Sequence, residues 1–208
     1  MNILITSGGT REDIDPVRGI TNYSTGQLGR LIATRFLQSG AQVTYLCSES
    51  AARPDPNANL SITTIRSTSQ LKDKLETALQ TCPFDAVIHS MAVSDFAPES
   101  PSNTKISSDT EYITIVLKRL PKVIKSIKKL QPNTVLVGFK LLAKSSEDDL
   151  INAAYKQMSE SGSDYVLANA LEGIGAGRHE AILLNRDGII ARMESKEEIA
   201  DRIYSTLI

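Results

Sequence analysis

The stretch NILITSGGT at residues 2–10 decides the fold. Residues 2–6 form an apolar run of the length of a buried strand, and two glycines follow it closely. Glycine lets the backbone turn sharply and leaves N–H groups exposed, so this junction is typical of a strand that leads through a loop into a helix. From there the sequence alternates strand-like and helix-like segments, which predicts an α/β protein.

The alternation continues through the chain. Helices are predicted at Thr25–Gln38, Ser69–Gln80, Lys122–Leu130, Glu147–Ser161 and Lys196–Thr206. Strands are predicted at Asn2–Thr6, Gln42–Leu46, Ser61–Ile65, Ala86–His89, Thr134–Val137 and Tyr165–Ala168, with a further β-rich segment at Glu111–Leu117. Asp187-Gly188 predicts a hairpin that joins Ala181–Leu184 to Ile189–Met193. We therefore expect one domain over residues 1–208, with a Rossmann-like, doubly wound, mainly parallel sheet, helices on both faces and a C-terminal β-hairpin.

Composition limits what the protein binds. The formal net charge is -1, so no global basic field attracts nucleic acid or an anionic membrane. The amino terminus has no basic segment before its apolar run, and no stretch of about 18 apolar residues occurs, so we expect a cytoplasmic protein. Cys47 and Cys82 are expected to be buried or half-buried thiols. Because His89 and His179 lie in no metal-ligand spacing, we expect no protein-held metal site.

The loop after the first strand is unusually long. It runs as far as Gly26, whereas connections of this kind usually span about 2–6 residues. Gly8 and Gly9 can cradle an anion with backbone N–H groups, although a tight turn explains them equally well. Asn22 supplies an amide, and Ser24–Gly26 supply two hydroxyls and a helix start, which suit phosphate or carboxylate. One of these hydroxyl residues is expected simply to cap the helix.

Several motifs resemble those of phosphopantothenate–cysteine ligases. The segments GGTRE (8–12), DPVR (15–18), ITN (20–22) and STG (24–26) resemble the opening signature of that family. HSMAVSDFAP (89–98), VGFK (137–140) and DYVLAN (164–169) extend the resemblance over most of the chain. In many bacteria this domain follows a flavin-dependent decarboxylase. Because no decarboxylase motif is present, the chain resembles the stand-alone ligases.

The resemblance implies roles for individual residues. Asn22 would turn over an acyl-nucleotidylate intermediate, and Lys105 would neutralise the nucleotide phosphates, which makes both catalytic. The residues implied to bind the nucleotide are Gly8, Gly9, Ser90, Met91, Asp95, Lys105, Pro121, Phe139 and Lys156. The residues implied to bind the substrate are Asn22, Ser24, Thr25, Gly26 and Asn169.

Without the resemblance, several of these residues have plainer explanations. Asp95 would cap a loop, Phe139 would belong to the core and Lys105 would be a solvated surface lysine. Pro121 would open a helix, as proline often does. Residues 107 and 108 are serines where bacterial fusion proteins carry further lysines. This departure keeps the nucleotide preference open.

The family's reaction implies the ligands. The carboxylate of 4′-phosphopantothenate attacks the α-phosphate of CTP and releases pyrophosphate, and the amine of L-cysteine then displaces CMP from the acyl-cytidylate. The resemblance also implies Mg²⁺ as the companion of CTP, with ATP as an alternative nucleotide. It further implies a homodimer, in which Glu111–Leu117 and the long first loop are candidates for shared contacts.

Two functions of other kinds stay open. An NADP-dependent short-chain reductase would also have a glycine-rich loop after its first strand. It needs a lysine four residues after a catalytic tyrosine, and none of the six tyrosines has one. A non-catalytic nucleotide sensor of the same fold is the other alternative. Substitution of Lys105 separates the two, because an enzyme would lose turnover and a sensor would lose only affinity.

Overall fold

The structure, a computed structural model, describes residues 1–109, 111–175 and 177–208. The helices are α1 (Gln27–Gln38), α2 (Thr68–Thr81), α3 (Ile124–Leu130), α4 (Glu147–Ser161) and α5 (Lys196–Leu207). The strands are β1 (Asn2–Ser7), β2 (Arg11–Asp13), β3 (Gly19–Thr21), β4 (Gln42–Ser48), β5 (Leu60–Ile65), β6 (Ala86–His89), β7 (Phe96–Pro98), β8 (Leu117–Arg119), β9 (Val135–Leu142), β10 (Tyr165–Ala170), β11 (Ile174–Gly175), β12 (Arg178–His179), β13 (Ala181–Asn185) and β14 (Gly188–Met193).

The main sheet has its strands in the order β14-β13-β10-β9-β6-β1-β4-β5. The neighbouring strands β5, β4, β1, β6, β9 and β10 are parallel to one another. Strand β13 pairs antiparallel with β10, and β14 pairs antiparallel with β13. The chain moves outward from β1 to β4 and β5, then returns to β6 on the other side of β1. The strand order therefore reverses between β1 and β6. This topology confirms the predicted doubly wound sheet with a C-terminal hairpin.

Helices cover both faces of the sheet. On one face lie α1 and α5, where the rings of Phe36 and Tyr204 meet edge to face with centroids 5.3 Å apart. On the other face lie α2, α3 and α4. Ile3 and Ile5 of β1 point to the first face and Leu4 points to the second. Because both faces are buried, β1 reads as a continuous apolar run.

Two short antiparallel hairpins stand beyond the carboxyl ends of the parallel strands. One pairs β2 with β3 inside the long loop after β1, and the other pairs β7 with β8. The two hairpins lie side by side through β2 and β7. The turn between β2 and β3 is made by Asp15, whose side chain accepts hydrogen bonds from the backbone N–H groups of Val17 and Arg18.

The prediction of strand structure over Glu111–Leu117 is wrong. The paired segment begins only at its last residue, which opens β8. All the side chains from 112 to 116 are exposed. In the part of the chain that the structure describes, no layer covers either face of this segment, so its apolar alternation does not make a strand.

Two other predicted boundaries move. Helix α3 begins at Ile124, two residues after the predicted start at Lys122; the bonds from the N–H groups of Lys125 and Ser126 to the carbonyls of Lys122 and Val123 form a tighter turn before the helix. Strand β9 continues to Leu142, well past the predicted end at Val137. It does so because β10 pairs with it over this length. By contrast, α4 has the predicted boundaries.

Two further expectations concern the thiols and membranes. Cys47 is buried as predicted, but Cys82 is exposed at the end of α2, where its Sγ accepts a hydrogen bond from Asn2 Nδ2 at 3.0 Å. Within residues 1–109, 111–175 and 177–208, no helix combines the length and apolar character that a transmembrane span needs.

Candidate active site

The loops that follow β1 and β6 are joined by backbone hydrogen bonds. The N–H of Ala92 donates to the carbonyl of Gly8 at 2.8 Å, and the N–H of Thr10 donates to the carbonyl of Ala92 at 3.2 Å. Gly9 and Ala92 form a parallel bridge. The two strands thus continue their pairing beyond the sheet. This junction lies where the strand order reverses, which is where a doubly wound sheet offers a crevice for ligands.

Gly8 and Gly9 permit close packing of the loop that follows β1. A Cβ on Gly8, where φ is 88°, would lie 2.7 Å from the Cβ of Ala51. The N–H of Gly9 donates to Ser48 Oγ at 3.3 Å, and the next N–H, on Thr10, is bonded across the junction. The protein thus supplies acceptors for the N–H groups of Gly9 and Thr10, and the binding of an anion by Gly8 and Gly9 stays a prediction.

Asn22 stands over this junction. Its Nδ2 donates to the carbonyl of Val93 at 3.2 Å, and a Cβ on Gly9 would lie only 2.6 Å from the Asn22 carbonyl. The neighbouring Thr21 hydroxyl donates to the carbonyl of Thr10 at 2.9 Å. The Asn22 side chain is exposed. Its amide is thus fixed at the point where the strand order reverses and is open to a ligand.

Helix α1 begins at a glycine. Gly26 is the N-cap residue with φ 71°, so the prediction that Ser24 or Thr25 caps the helix is wrong. A Cβ on Gly26 would lie 2.8 Å from the Cβ of Ala51, which explains why glycine occupies this position. The Ser7 hydroxyl donates to the Gly26 carbonyl at 3.1 Å. The start of α1, where the Gln27 N–H donates to Thr25 Oγ1 at 3.5 Å, is therefore held at the carboxyl end of β1, and the positive end of the helix dipole would favour an anion there.

Ser90 and Met91 make their contacts within the protein. The Ser90 hydroxyl donates to the Thr6 carbonyl at 2.6 Å, and the Met91 N–H donates to Thr6 Oγ1 at 3.3 Å. The Met91 side chain is buried in the core beneath α2 and α3. Helix α1 also passes close to this region, because a Cβ on Gly29 would lie 2.6 Å from the Cβ of Ser7. Neither predicted nucleotide contact presents a free side chain here.

Phe139 and Asn169 lie on the face of the sheet that α1 and α5 cover. Phe139 is half-buried against that core and pairs in register with Leu167 of β10. Asn169 is buried two residues further along β10, and therefore on the same face. Because neighbours in a strand point to opposite faces, the Phe139 ring is separated by the sheet from the side that carries α3.

A charged cluster lies on that opposite side, around the start of α3. Lys122 Nζ lies 2.5 Å from Asp95 Oδ1, and Lys125 Nζ lies 3.2 Å from Glu160 Oε2. Lys125, through its hydrogen bond and its charge, lowers the pKa of Glu160 against the opposing effect of burial, and Lys156 and Lys122 lower it further. Lys156 and Asp95 thus belong to one electrostatic neighbourhood. Three lysines against two carboxylates favour an anionic ligand.

Lys122 is a residue that the sequence interpretation missed. Its neighbour Pro121 was predicted to open α3, but Val123 is the N-cap residue and Pro121 precedes the helix. Lys122 instead extends to Asp95 and supplies that carboxylate with a counter-charge. The sequence did contain a signal for Lys122, because it lies between a strand and a helix, as does Pro121, which was named as a candidate.

Lys105 lies at the other end of the first hairpin from Asn22. It is exposed, and the N–H of the next residue, Ile106, donates to Asp15 Oδ2 at 3.2 Å. Asp15 forms the tip of the β2–β3 hairpin, whereas Asn22 follows the last residue of β3. A three-residue strand separates these positions by roughly 10 Å. The structure therefore places the two predicted catalytic residues near opposite ends of one hairpin, with Asn22 directly after β3 and Lys105 on a separate segment beside the tip.

His89 is a buried polar residue at the carboxyl end of β6. Its Nδ1 lies 2.9 Å from Thr6 Oγ1, and it pairs in register with Gly138 of β9. Burial lowers the pKa of His89 to about 4, so the ring is neutral near pH 7. It is therefore a neutral hydrogen-bonding group beside the candidate site. The sequence indicated such a residue, because His89 is the polar residue at the end of the apolar strand β6.

Comparison with known proteins agrees with this arrangement. Residues 1–208 match the family described as DNA/pantothenate metabolism flavoprotein C-terminal domain. The chain is 36% identical over 207 residues to the "Coenzyme A biosynthesis bifunctional protein CoaBC" of Thermococcus kodakarensis, covering 99% of this chain and 50% of that protein. It is 32% identical over 203 residues to the protein of the same name from Methanocaldococcus jannaschii, covering 97% and 49%. The chain thus spans about half the length of these curated relatives.

Solved structures extend the likeness to three dimensions. The crystal structure of the "DNA/Pantothenate Metabolism Flavoprotein from Streptococcus pneumoniae" is 37% identical, with a TM-score of 0.92 over 100% of this chain and 98% of that one. The C-terminal domain of a bifunctional CoaBC protein is 26% identical, with a TM-score of 0.75 over 99% and 93%. The resemblance that the motifs indicated is confirmed, and the chain belongs to the family of DNA/pantothenate metabolism flavoprotein C-terminal domains.

Proposed function

We propose that this chain joins 4′-phosphopantothenate to L-cysteine in coenzyme A biosynthesis, with CTP as the activating nucleotide. The names of its relatives support the pathway, since two of them are bifunctional proteins of coenzyme A biosynthesis. The observation that carries the proposal is the convergence of three groups at the carboxyl edge of the sheet. These groups are the Asn22 amide at the junction, the Asp95–Lys122 pair and the start of α1.

The reaction needs two steps, because a carboxylate and an amine do not condense unaided. In the first step a carboxylate oxygen of phosphopantothenate attacks the α-phosphorus of CTP, and pyrophosphate leaves with the electron pair of the broken P–O bond. In the second step the amine of cysteine attacks the acyl carbon, CMP leaves, and the nitrogen gives up a proton. Both steps require that two anionic ligands be held in line and shielded from water.

The residues at the site divide this work. Lys105 neutralises the negative charge that develops as pyrophosphate leaves. Asn22 donates a hydrogen bond to the acyl-cytidylate. Asp95 accepts hydrogen bonds from the nucleoside, and Lys122 holds that carboxylate in place through their ion pair. The start of α1 at Gly26 holds the phosphate of the substrate.

Mg²⁺ is expected to enter the site bound to CTP. Among the residues that the structure describes, no three His, Cys, Asp or Glu side chains lie close enough to hold a metal ion. Asp95 and Glu160, the carboxylates of the charged cluster, each already pair with a lysine. Mg²⁺ usually keeps several waters and binds through substrate phosphates with one or two carboxylates, so a single carboxylate beside the polyphosphate would suffice. When bound, it would neutralise phosphate charge.

The same geometry disfavours a dinucleotide-dependent reductase. Such enzymes bind a pyrophosphate on free N–H groups after the first strand. Here the N–H groups of Gly9 and Thr10 are both bonded within the protein. The contacts described above do not distinguish CTP from ATP, so an assay has to identify the nucleotide that the protein uses.

The test is pyrophosphate release with 4′-phosphopantothenate, cysteine and Mg²⁺, with CTP and ATP in parallel. We expect release with CTP that stops when phosphopantothenate is omitted. Release with ATP alone would keep the ligase and correct the nucleotide, and no release with either would refute the function.

A lysine substitution distinguishes the ligase from a nucleotide sensor. Lys105→Ala should lower kcat by about 10²–10³-fold, in the range of a lost electrostatic contact in the transition state. Lys74→Ala removes an exposed lysine from α2, away from the site, and is the matched control. If Lys105→Ala changed the nucleotide affinity and left kcat unchanged, a nucleotide sensor would explain the protein better than a ligase.

We also propose that the chain acts as a homodimer, with a second copy covering its exposed apolar surface. This surface, which we call the apolar rim, consists of Val17, Phe96, Tyr112, Ile113, Ile115, Val116 and Leu117, exposed by between 38% and 80%. Their side chains lie on the two hairpins and on the segment that leads into β8. A cluster of this kind, next to an unpaired strand edge, is typical of a protein–protein interface.

Sedimentation of a charged variant tests the dimer. Val116→Asp should shift the protein toward the monomer, because a charge would be buried at the interface. Ile62→Asp changes an apolar residue of comparable type, 38% exposed on the edge strand β5, and should leave the mass unchanged. A wild-type protein that sediments as a monomer would contradict the proposal.

A further inference from the structure

Asp15 is a buried carboxylate whose two oxygens have different partners. It is 1% exposed at the tip of the β2–β3 hairpin. Oδ1 accepts the backbone N–H groups of Val17 at 2.8 Å and Arg18 at 2.7 Å, which forms the turn. Oδ2 accepts the N–H of Ile106 at 3.2 Å and Nη1 of Arg18 at 3.3 Å. One oxygen therefore shapes the hairpin, and the other connects it to a distant segment.

The segment that Oδ2 holds carries Lys105. Residues 99–109 have no regular secondary structure and are mostly exposed. Within the segment the hydrogen bonds are local, as between Ser102 and Thr104 and between Ser107 and Asp109. Its bonds to the hairpin come through Ile106 and through the N–H of Ser102, which donates to the carbonyl of Ile14 at 2.8 Å. Segments with so few buried contacts open easily unless they are tied down.

We propose that Asp15 is a positioning residue that clamps Ile106 and thereby fixes Lys105 over the site. The role of Lys105 in this statement rests on the proposed ligase function. The clamp suits a carboxylate, because burial raises the pKa of Asp15 but the N–H groups of Val17, Ile106 and Arg18 and the Arg18 charge outweigh it. The ionised carboxylate is thus the form that makes the clamp, because it acts as the acceptor in all four hydrogen bonds.

An amide at this position would break the clamp and keep the turn. In Asp15→Asn, the amide oxygen can still accept the two N–H groups of the turn at 2.7 and 2.8 Å. The NH₂ group would then face the Ile106 N–H and the Arg18 guanidinium, and three donors cannot bond to one another. The shape of the side chain is conserved, so the substitution isolates the contribution of Oδ2.

Hydrogen exchange and kinetics together test the clamp. In Asp15→Asn we expect amides between 102 and 109 to exchange at least about tenfold faster, while amides of the main sheet are unchanged. Pyrophosphate release should fall about 10²-fold in kcat, as for a misplaced catalytic group, with a smaller change in the KM for CTP. Ile106→Pro removes the N–H donor and leaves Asp15 intact, so it should reproduce both effects if Asp15→Asn fails to fold.

The matched control is Asp149→Asn. Asp149 also accepts hydrogen bonds from its own turn, from the Ser146 N–H and hydroxyl, and its pKa is likewise lowered by them. It lies at the start of α4, so its loss should reduce stability without affecting exchange between 102 and 109. Unchanged exchange there in both Asp15→Asn and Ile106→Pro would overturn the clamp, and faster exchange with normal kcat would overturn the positioning role. If the wild-type protein released no pyrophosphate, the ligase function would fail, and the exchange result alone would decide the clamp.

Discussion

Lowering the pH from 7.5 to 5 should reduce the stability of the protein by about 2 kcal/mol through His89 alone. The ring is buried at the end of β6, and burial lowers its pKa to about 4. In the unfolded chain a histidine has a pKa of about 6.5. Between these two values the unfolded state binds more protons, so the stability present above pH 6.5 is lost progressively as the pH falls toward 4. A pH of 5 is about 1.5 units below the pKa of the unfolded ring, and each of these units costs about 1.4 kcal/mol of folding stability, which gives about 2 kcal/mol.

Urea unfolding measures this loss. The second histidine, His179, also has a lowered pKa, because of burial and then the charge of Lys196, so His179→Asn serves as the background. In that background, the free energy of unfolding is compared between the parent and a further His89→Asn change at pH 7.5 and pH 5. Carboxylates titrate in the same range, and the difference between the two proteins cancels their contribution.

The expected result is a gap between the two proteins that changes by about 2 kcal/mol between the two pH values. His89→Asn should be less stable than its parent at pH 7.5, because the buried pair with Thr6 is altered, and should lose less stability on acidification. A gap that stayed constant within about 0.5 kcal/mol would mean that the folded ring accepts a proton as readily as the unfolded one. The reasoning from burial would then be refuted.

Three further changes test the packing of the fold by urea unfolding. Gly29→Ala should lower stability by about 1–2 kcal/mol, because its Cβ would crowd Ser7 more than helix propensity gains; unchanged stability would mean that α1 can move outward. Thr68→Val keeps the shape but removes a donor 2.7 Å from the buried Glu12 carboxylate, with an expected loss of about 1.5–3 kcal/mol; a neutral result would point to a replacement donor. Ser195→Ala removes the N-cap of α5 and should lower stability by about 1 kcal/mol, and no loss would show that the cap is dispensable.

Elements with strong local signals were predictable from sequence. Helix α4 begins after Ser146, which forms a capping box with Asp149, and ends at Gly162 with φ 73°, so both boundaries could be predicted. The C-terminal hairpin was equally predictable from Asp187-Gly188, although its turn residues are Arg186 and Asp187, and Gly188 opens β14. In these segments local preference and tertiary structure agree.

Elements that depend on distant partners were not predictable. The N-cap of α1 is Gly26 because Ala51, far along the chain, leaves no space for a side chain. The alternation before Leu117 is typical of a strand, but among the described residues no strand pairs with it. The hairpin around Asp15 was missed as well, since its strands are three residues long, although Asp-Pro was a turn signal.

The candidate site was predicted in outline but not in its contacts. Asn22, Asp95 and Lys105 were chosen by motif, and all three lie beyond the carboxyl edge of the sheet. The pairing of Asp95 with Lys122 depends on how two separate loops meet, and sequence does not specify that meeting. The occupied N–H of Gly9 has the same cause, because its acceptor Ser48 belongs to a different strand.

The bridge between Gly9 and Ala92 limits how far the lengths of the loops after β1 and β6 can vary. Since Gly9 and Ala92 meet in a parallel bridge that continues the pairing of β1 with β6, one inserted residue in either loop would misalign the two bonds that join them. These loops should therefore tolerate insertions and deletions as poorly as the strands that they follow. Length differences between relatives should instead collect at residues 53–59, which are irregular, mostly exposed and assigned no role in the site.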